Sequence, residues 1–254
     1  MANRRNATRR TPVDPEERFL SRYDATAFPR PSLAVDVALV SAEEGALRTV
    51  AVRRAAHPAR GKWALPGGFV GITESLDAAA GRVIQTKTGV SGVFLEQLYT
   101  FGDPARDPRT RVVSVAYYAL VDAARLASVV RPDVARARIS VPWEGETGGP
   151  VELIAEDGSS LPLAFDHAEI LGMAVKRLRG KLDYTPIGFQ LLPRAFTLLS
   201  LQRVHETVLG RPVNKDSFRR RMLASGQLEA TGESQRDVEH RPAELYRFAR
   251  RSAV

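Results

Sequence analysis

The 254-residue chain contains no cysteine, which excludes disulfides and thiolate metal sites. It has only four histidines. His167 and His205 fall on expected helices without another histidine or cysteine at metal-ligand spacing, so both read as structural. His57 and His240 fall in loops. No apolar run approaches the length of a membrane span, and the N-terminus lacks the apolar core of a signal peptide. These absences point to a cytoplasmic protein with no membrane partner. There is no internal repeat, and no Ser-His-Asp arrangement stands out. What remains is ordinary: 44% hydrophobic and 26% charged residues, the range of a globular protein large enough for one or two domains.

The formal net charge of +8 is unevenly placed. Residues 1–166 carry 21 Lys+Arg against 20 Asp+Glu, whereas residues 167–254 carry 16 against 9. The last third therefore holds almost the whole excess, as expected for a segment that meets a polyanion. A second basic cluster, Arg4, Arg5, Arg9 and Arg10, lies in a polar N-terminal stretch. Residues 1–29 read as a flexible arginine-rich tail.

Alternating apolar residues predict a strand over Leu33–Val40, a turn at Glu44-Gly45 and a second strand over Thr49–Arg53. Pro66-Gly67-Gly68 reads as a break that uses glycine backbone freedom. Thr73 is a candidate N-cap for a helix over Glu74–Thr88 stopped by Gly89, with Leu76, Ala79, Ala80, Val83, Ile84 and Lys87 on one face. Further strands are expected over Val93–Phe101 and Val112–Val121, a mobile loop over Gly145–Ser160, and a helix over Asp166–Arg179. A domain boundary is placed near Lys181–Leu182, dividing 30–181 from 182–254. Beyond it come helices over Ala195–Leu209 and Asn214–Leu223, then strands around Gln227–Thr231 and Leu245–Ala249 with Gly232-Glu233-Ser234 between them. Helix, helix, hairpin is the order of a winged helix-turn-helix.

One spacing is specific. Gly68, Glu74, Arg82, Ile84, Gly89 and Val90 stand in register with a Nudix box, the pattern of glycine, glutamate and an arginine-led acidic helix. The three helix positions that should be glutamate read Val83, Thr86 and Lys87. Carboxylates at that spacing converge on Mg²⁺ in a working site. An isopropyl group, a hydroxyl and an ammonium do not. The neighbouring segments Gly61–Val70 and Phe101–Arg109 resemble ADP-ribose-type Nudix domains. The resemblance implies an α/β/α sandwich with a mixed sheet that binds ADP-ribose or a related nucleotide, while the missing glutamates point to no required metal cofactor. Candidate ligand-binding residues are Arg53, Lys62, Trp63, Gly67, Gly68, Glu74, Arg82, Lys87 and Phe101. Lys62, Arg53 and Arg82 counter a pyrophosphate, Gly67 and Gly68 allow close approach, and Trp63 or Phe101 stacks on adenine. Lys87 is a candidate stand-in for Mg²⁺. Four have a structural alternative: Arg53 as a solvated strand end, Trp63 as core, Arg82 as partner of Glu74, Lys87 as a solvated helix residue.

Phe165–Leu171, Ala195–Val213, Asn214–Met222 and Arg241–Phe248 resemble the C-terminal half of the Nudix-related transcriptional regulators of the NrtR type. The two resemblances together cover about residues 30–250, in the right order. Asn214 is a natural N-cap, and Phe218, Met222 and Leu223 are expected to face the core. Candidate DNA-binding residues are Asn214, Lys215, Ser217, Arg219, Arg220 and Arg221 on the second helix, with Arg236, Arg241 and Arg247 at the wing. The fold class is α+β. The resemblance implies a homodimeric repressor of NAD metabolism genes that binds double-stranded operator DNA and responds to ADP-ribose. The main rival is an active ADP-ribose pyrophosphatase, which the missing glutamates oppose. A third reading, an RNA-binding Nudix protein, is disfavoured by the helix-helix-wing order.

Overall fold

The computed structural model describes residues 14–235 and 242–249, in two units, Met1–Pro31 and Ser32–Val254. In the first, α1 (Pro15–Leu20) is capped by the Asp14 side chain, which accepts from the Glu16 N–H at 3.0 Å. The stretch expected to be a flexible tail over residues 1–29 thus includes short helical segments at Pro15–Leu20 and Ala25–Ala27. A proline at the first helical position and acidic residues in the first turn are the signals.

The second unit is built on a mixed sheet. Its strands are β1 (Ser32–Glu43), β2 (Ala46–Arg53), β3 (Trp63–Ala64), β4 (Gly67–Phe69), β5 (Phe94–Phe101), β6 (Val112–Leu120), β7 (Val134–Ser140) and β8 (Glu152–Ala155). The main order is β5-β6-β1-β2-β7-β8, with β3 beside β2 and β4 beside β1. Among the described strand pairs of this sheet, β1–β6 is parallel and the others antiparallel. Glu44 and Gly45, both at positive φ, turn β1 into β2 as a tight hairpin.

Side chains alternate across the sheet and bury two faces. Val35, Val37 and Leu39 on β1 and Val115, Tyr117 and Ala119 on β6 pack against Ala79, Ala80, Val83 and Ile84 of α2 (Leu76–Thr88) and Leu126 of α3 (Ala123–Ala127). Ala38, Val40, Ala116, Tyr118 and Leu120 face the other way, onto Ile170, Leu171, Ala174, Val175 and Leu178 of α4 (His167–Lys181). That is the expected sandwich. The second cluster does not end at α4. It runs on through Phe189, Leu191 and Leu192 into α5 (Leu198–Leu209) and α6 (Lys215–Ala224), so one continuous core joins the sheet to the C-terminal helices.

The C-terminal part has the helix-helix-hairpin order. The hairpin strands are β9 (Leu228–Ser234) and β10 (Glu244–Phe248). Phe196 and Tyr246 exchange backbone bonds at 2.9 and 2.8 Å, tying the hairpin to the segment just before α5. Phe189 stacks on Phe248 at 4.5 Å beneath it.

Several local expectations are corrected. The N-cap of α2 is Ser75, not Thr73; its side chain accepts from the Ala78 N–H at 3.2 Å. Lys87 is exposed rather than part of the buried stripe, which continues through Thr88. Gly145–Ser160 contains β8, where Leu153 is fully buried, so composition hid a strand. Gly232-Glu233-Ser234 lies inside β9 rather than between the hairpin strands. Ala195–Thr197 precede α5, which Thr197 caps. Leu223 is 47% exposed, leaving Phe218 and Met222 to fill the core. Among the described residues, no helix is long and apolar enough to cross a membrane.

Candidate nucleotide cavity and nucleic-acid interface

Gly67 and Gly68 are not a flexible break. Both lie in β4, extended and paired with Asp36 and Val35 of β1, and neither has positive φ. Both have neighbours close enough to favour glycine. A Cβ on Gly67 would overlap the Asp36 carboxylate and lie 3.2 Å from the Val35 carbonyl. One on Gly68 would sit 3.2 Å from Val83 Cγ2. Close approach, not backbone freedom, favours the residue type.

Beside them opens a cavity of about 420 Å³, lined by Asp36, Arg53, Arg54, Leu65, Gly67, Gly68, Phe69, Lys87, Arg106, Asp107, Arg109, Asp133, Phe165 and His167, among others. Its wall holds a buried charge network. Arg106, whose side chain is 5% exposed, donates to both oxygens of Asp166 at 2.8 and 2.7 Å and to Asp36 at 3.3 Å. Burial alone would lower the Arg106 pKa, but the bonds to Asp166 and Asp36 hold it above its ordinary value. Ser114 Oγ donates to the same Asp36 oxygen at 2.6 Å. His167 Nδ1 accepts from the Leu65 N–H at 2.8 Å. The His167 proton therefore sits on Nε2, which lies 3.6 Å from Asp36 Oδ1. Burial pushes the His167 pKa down despite its carboxylate neighbours, so the ring is neutral.

At the rim, Arg109 grips Asp107 through both carboxylate oxygens, at 3.0 and 2.7 Å. The Arg54 guanidinium lies 4.7 Å over the Phe165 ring. Phe165 holds that place with a positive φ of 55°, a strained backbone for a bulky residue. Five cations and three carboxylates line the cavity, a net positive lining suited to an anion.

Of the sequence candidates, Arg53, Gly67, Gly68 and Lys87 line this cavity. Lys62, Trp63, Glu74, Arg82 and Phe101 are not in its wall. Trp63 packs against the core and Phe101 against Tyr99, edge to face at 5.5 Å. Glu74 and Arg82 form a clasp instead. Arg82 Nε and Nη2 donate to the two Glu74 oxygens at 2.6 and 2.7 Å, and Arg82 also donates to the Phe69 carbonyl at 3.1 Å. The Gly71 N–H adds a bond to Glu74 at 3.1 Å. The Arg82 bonds hold Glu74 well below the usual carboxylate range, at about 2. Sequence reading missed Asp36, Arg54, Arg106, Asp107, Arg109, Asp133, Phe165 and the lining role of His167. A polar residue at position 36 inside an otherwise apolar strand was the available signal.

A Nudix fold implies a divalent metal, and the residues here do not fit one. Val83 is buried against Gly68, Thr86 offers a hydroxyl, Lys87 is a cation and Glu74 is committed to Arg82. Among the described residues, no group of three or more His, Asp or Glu is placed to hold a metal ion.

On the C-terminal part, Asn214 caps α6 by accepting from the Ser217 N–H at 3.0 Å. Phe218 and Met222 anchor the inner face, with Phe218 edge-on to His205 at 4.9 Å. Lys215, Ser217, Arg219, Arg220 and Arg221 are all exposed. Arg221 leans to Asp183 at 3.6 Å, and Arg247 pairs across the hairpin with Glu229 at 2.9 Å. Arg236 and Arg241 lie outside the described residues, as do Arg4, Arg5, Arg9, Arg10 and His240. Lys215, Arg219 and Arg220 thus make no ion pair among the described residues, on a helix set as the second of a helix-turn-helix.

Comparison with known proteins agrees with this architecture. Residues 30–145 match the NUDIX domain and residues 188–248 the NrtR DNA-binding winged helix domain. Over 236 residues the chain is 37% identical to an ADPR responsive transcriptional repressor, NtrR, of Acinetobacter baylyi, spanning 92% of this chain and 88% of that protein. The chain belongs to the NrtR family. The crystal structure of Shewanella oneidensis NrtR complexed with a 27mer DNA is 35% identical, covers 85% of this chain and 93% of its own, and superposes with a TM-score of 0.68. The NUDIX domain of the same NrtR, complexed with ADP ribose, is 32% identical, with a TM-score of 0.50 over 64% of this chain and 98% of that one. The Nudix-plus-winged-helix order expected from sequence is therefore the order of the NrtR family.

Proposed function

We propose that this chain is a transcriptional repressor that binds operator DNA through its winged helix and responds to ADP-ribose held in the Nudix cavity. The observation that carries the reading is α6. It presents Lys215, Arg219 and Arg220 outward from a unit fused through one core to a cationic cavity whose metal ligands are replaced. Lys215, Arg219, Arg220 and Arg221 serve as base-edge and phosphate contacts, Asn214 and Ser217 meet the backbone at the helix start, and the wing arginines hold the flanking phosphates. The cavity cations Arg53, Arg54 and Lys87 face the diphosphate.

The protein acts in the cytoplasm as a homodimer on a near-palindromic site, controlling genes of NAD metabolism. It is not a hydrolase. The division between sensing and DNA-binding parts falls at Lys181–Leu182, where α4 ends. ADP-ribose releases DNA, so by linkage DNA weakens ADP-ribose binding by the same factor. Fluorescence anisotropy with duplexes from upstream of its own gene and of nearby NAD genes tests this, at fixed near-physiological salt because phosphate contacts alone give nonspecific binding. Selective binding lost on adding ADP-ribose is the expected result. No selective duplex, together with Mg²⁺-dependent breakdown of ADP-ribose, refutes it in favour of an enzyme.

A further inference from the structure

The Nudix frame is complete in this chain except where it should hold metal, and the replacement is not neutral. Lys87 stands on the last turn of α2, exposed, and lines the cavity with Arg53, Arg54 and Gly68. Resting on the reading that this cavity takes ADP-ribose, we propose that the Lys87 ammonium occupies the electrostatic role of the divalent ion. The diphosphate is then bound without any metal.

Three observations support this. The first is the committed state of the carboxylates. Both Glu74 oxygens accept from Arg82, at 2.6 and 2.7 Å, and one also accepts from Gly71. Asp36 accepts from Ser114 and Arg106, and Asp107 accepts from Arg109. A hard, strongly hydrated cation needs several oxygens free to converge on it; of the lining carboxylates only Asp133, held loosely by Arg131 at 3.5 Å, is not so committed, and one is too few. The second is the state of the cations. Arg106 is paired with Asp36 and Asp166 and Arg109 with Asp107, whereas Lys87, Arg53 and Arg54 take part in no ion pair among the described residues. They remain available for an anionic ligand. The third is the wall. Gly68 has no side chain, and Val83 packs directly beneath it. Gly67 and Gly68 line the cavity without side chains, in the same wall as Arg53, Arg54 and Lys87, so a phosphate can approach the β4 backbone near these cations.

The role is specific to the diphosphate. Lys87 discriminates ADP-ribose from adenosine, which offers it no charge, and it makes effector response independent of free Mg²⁺. A merely solvated lysine would do neither.

The test is titration calorimetry of ADP-ribose into the full chain, in EDTA and in MgCl₂, for the wild type, Lys87→Ala and Lys87→Glu. The residue is exposed, so both variants fold, and thermal unfolding verifies it. Wild-type affinity should be the same in both buffers. Lys87→Ala should bind about tenfold more weakly in both, since a single charge contact contributes on the order of tenfold. Lys87→Glu should lose more in EDTA and regain part of it with Mg²⁺, because the substitution restores a carboxylate where the metal site had one. Adenosine binding should not follow any of these changes. Wild-type binding that requires Mg²⁺, or a Lys87→Ala variant with unchanged affinity, overturns the proposal while leaving an ADP-ribose sensor intact. Absence of ADP-ribose binding in both buffers overturns the sensor reading itself, and this proposal with it.

Discussion

Gly172 lies in the middle of α4, buried, with the chain at Gly149-Pro150 crossing directly over it. In a helix interior, glycine is less favourable than alanine by about 1 kcal/mol, so Gly→Ala normally stabilises. Here the added methyl would overlap the Gly149 carbonyl oxygen and lie 3.0 Å from its carbon and 3.6 Å from Pro150 Cα. These are backbone atoms and cannot rotate away. The crossing segment is also fastened to α4 by the bond from the Val151 N–H to the Ala168 carbonyl at 3.2 Å. Overpacking costs about 1–3 kcal/mol, and losing that hydrogen bond about 1 more. Set against the propensity gain, Gly172→Ala should destabilise by about 1–3 kcal/mol.

Gly81 provides the internal control. It lies on the exposed side of α2, has ordinary helical φ, and nothing stands within 4 Å of its added Cβ. Gly81→Ala should stabilise by about 0.5–1 kcal/mol. Urea unfolding followed by far-UV circular dichroism reads both. Because α4 begins with His167 at the cavity wall, displacement of the helix should also weaken ADP-ribose binding in Gly172→Ala and not in Gly81→Ala. A Gly172→Ala protein as stable as the wild type would refute the close-packing argument. So would equal stabilisation by the two substitutions.

Three further outcomes are expected. Phe218→Ala removes the 3%-exposed anchor of α6 and should cost about 3–5 kcal/mol, seen as a lowered unfolding midpoint together with loss of operator binding. Lys215→Ala, Arg219→Ala and Arg220→Ala should each weaken duplex binding, and each lost phosphate contact should reduce the slope of log affinity against log salt by about one; unchanged slopes for all three would place the duplex elsewhere. Burial moves the His205 pKa from 6.5 down to about 4, so between those values the unfolded chain takes up a proton that the folded one refuses. Stability is therefore fully present above about pH 6.5 and should fall by about 2 kcal/mol from this residue near pH 5, a loss that His205→Leu removes in urea titrations at the two pH values.

Local patterns carried most of the architecture. Alternation in Leu33–Val40, the apolar stripe of α2 and the cap-and-anchor pattern of Asn214, Phe218 and Met222 are each set by residues close in sequence. What local pattern cannot report is a contact between distant segments. Arg106 is 70 positions from Asp36 and 60 from Asp166, and only the packing of α4 on the sheet brings the three together. Gly67 shows the same limit from the other side. Its identity looked like a matter of turn conformation, yet it is fixed by a carboxylate on the neighbouring strand. Strands β7 and β8 were missed because alanine, arginine and nearby glycines dilute the apolar signal, although Ala137, Ile139 and Leu153 are buried.

The surviving frame positions have a property in common that explains how the box persists without its acids. Gly68 admits Val83 beneath the strand, and the Glu74–Arg82 clasp fastens the loop before α2 to the helix and to the Phe69 carbonyl. Ile84 is 1% and Val90 6% exposed in the core, and Gly89 closes α2 at a φ of 80° while donating to Gln85. Each of these six residues builds the fold. Positions 86 and 87, by contrast, are exposed and pack against nothing in either core, and position 83 needs only to fill space under Gly68. A carboxylate at any of the three would serve metal binding alone. Removing it costs the fold little, and at position 83 replacing a charge by a buried apolar side chain is a gain of about 1.5–3 kcal/mol. Glu74 differs from the other acids of the box: both its oxygens are bound by Arg82, so its presence is no sign of a remaining metal site.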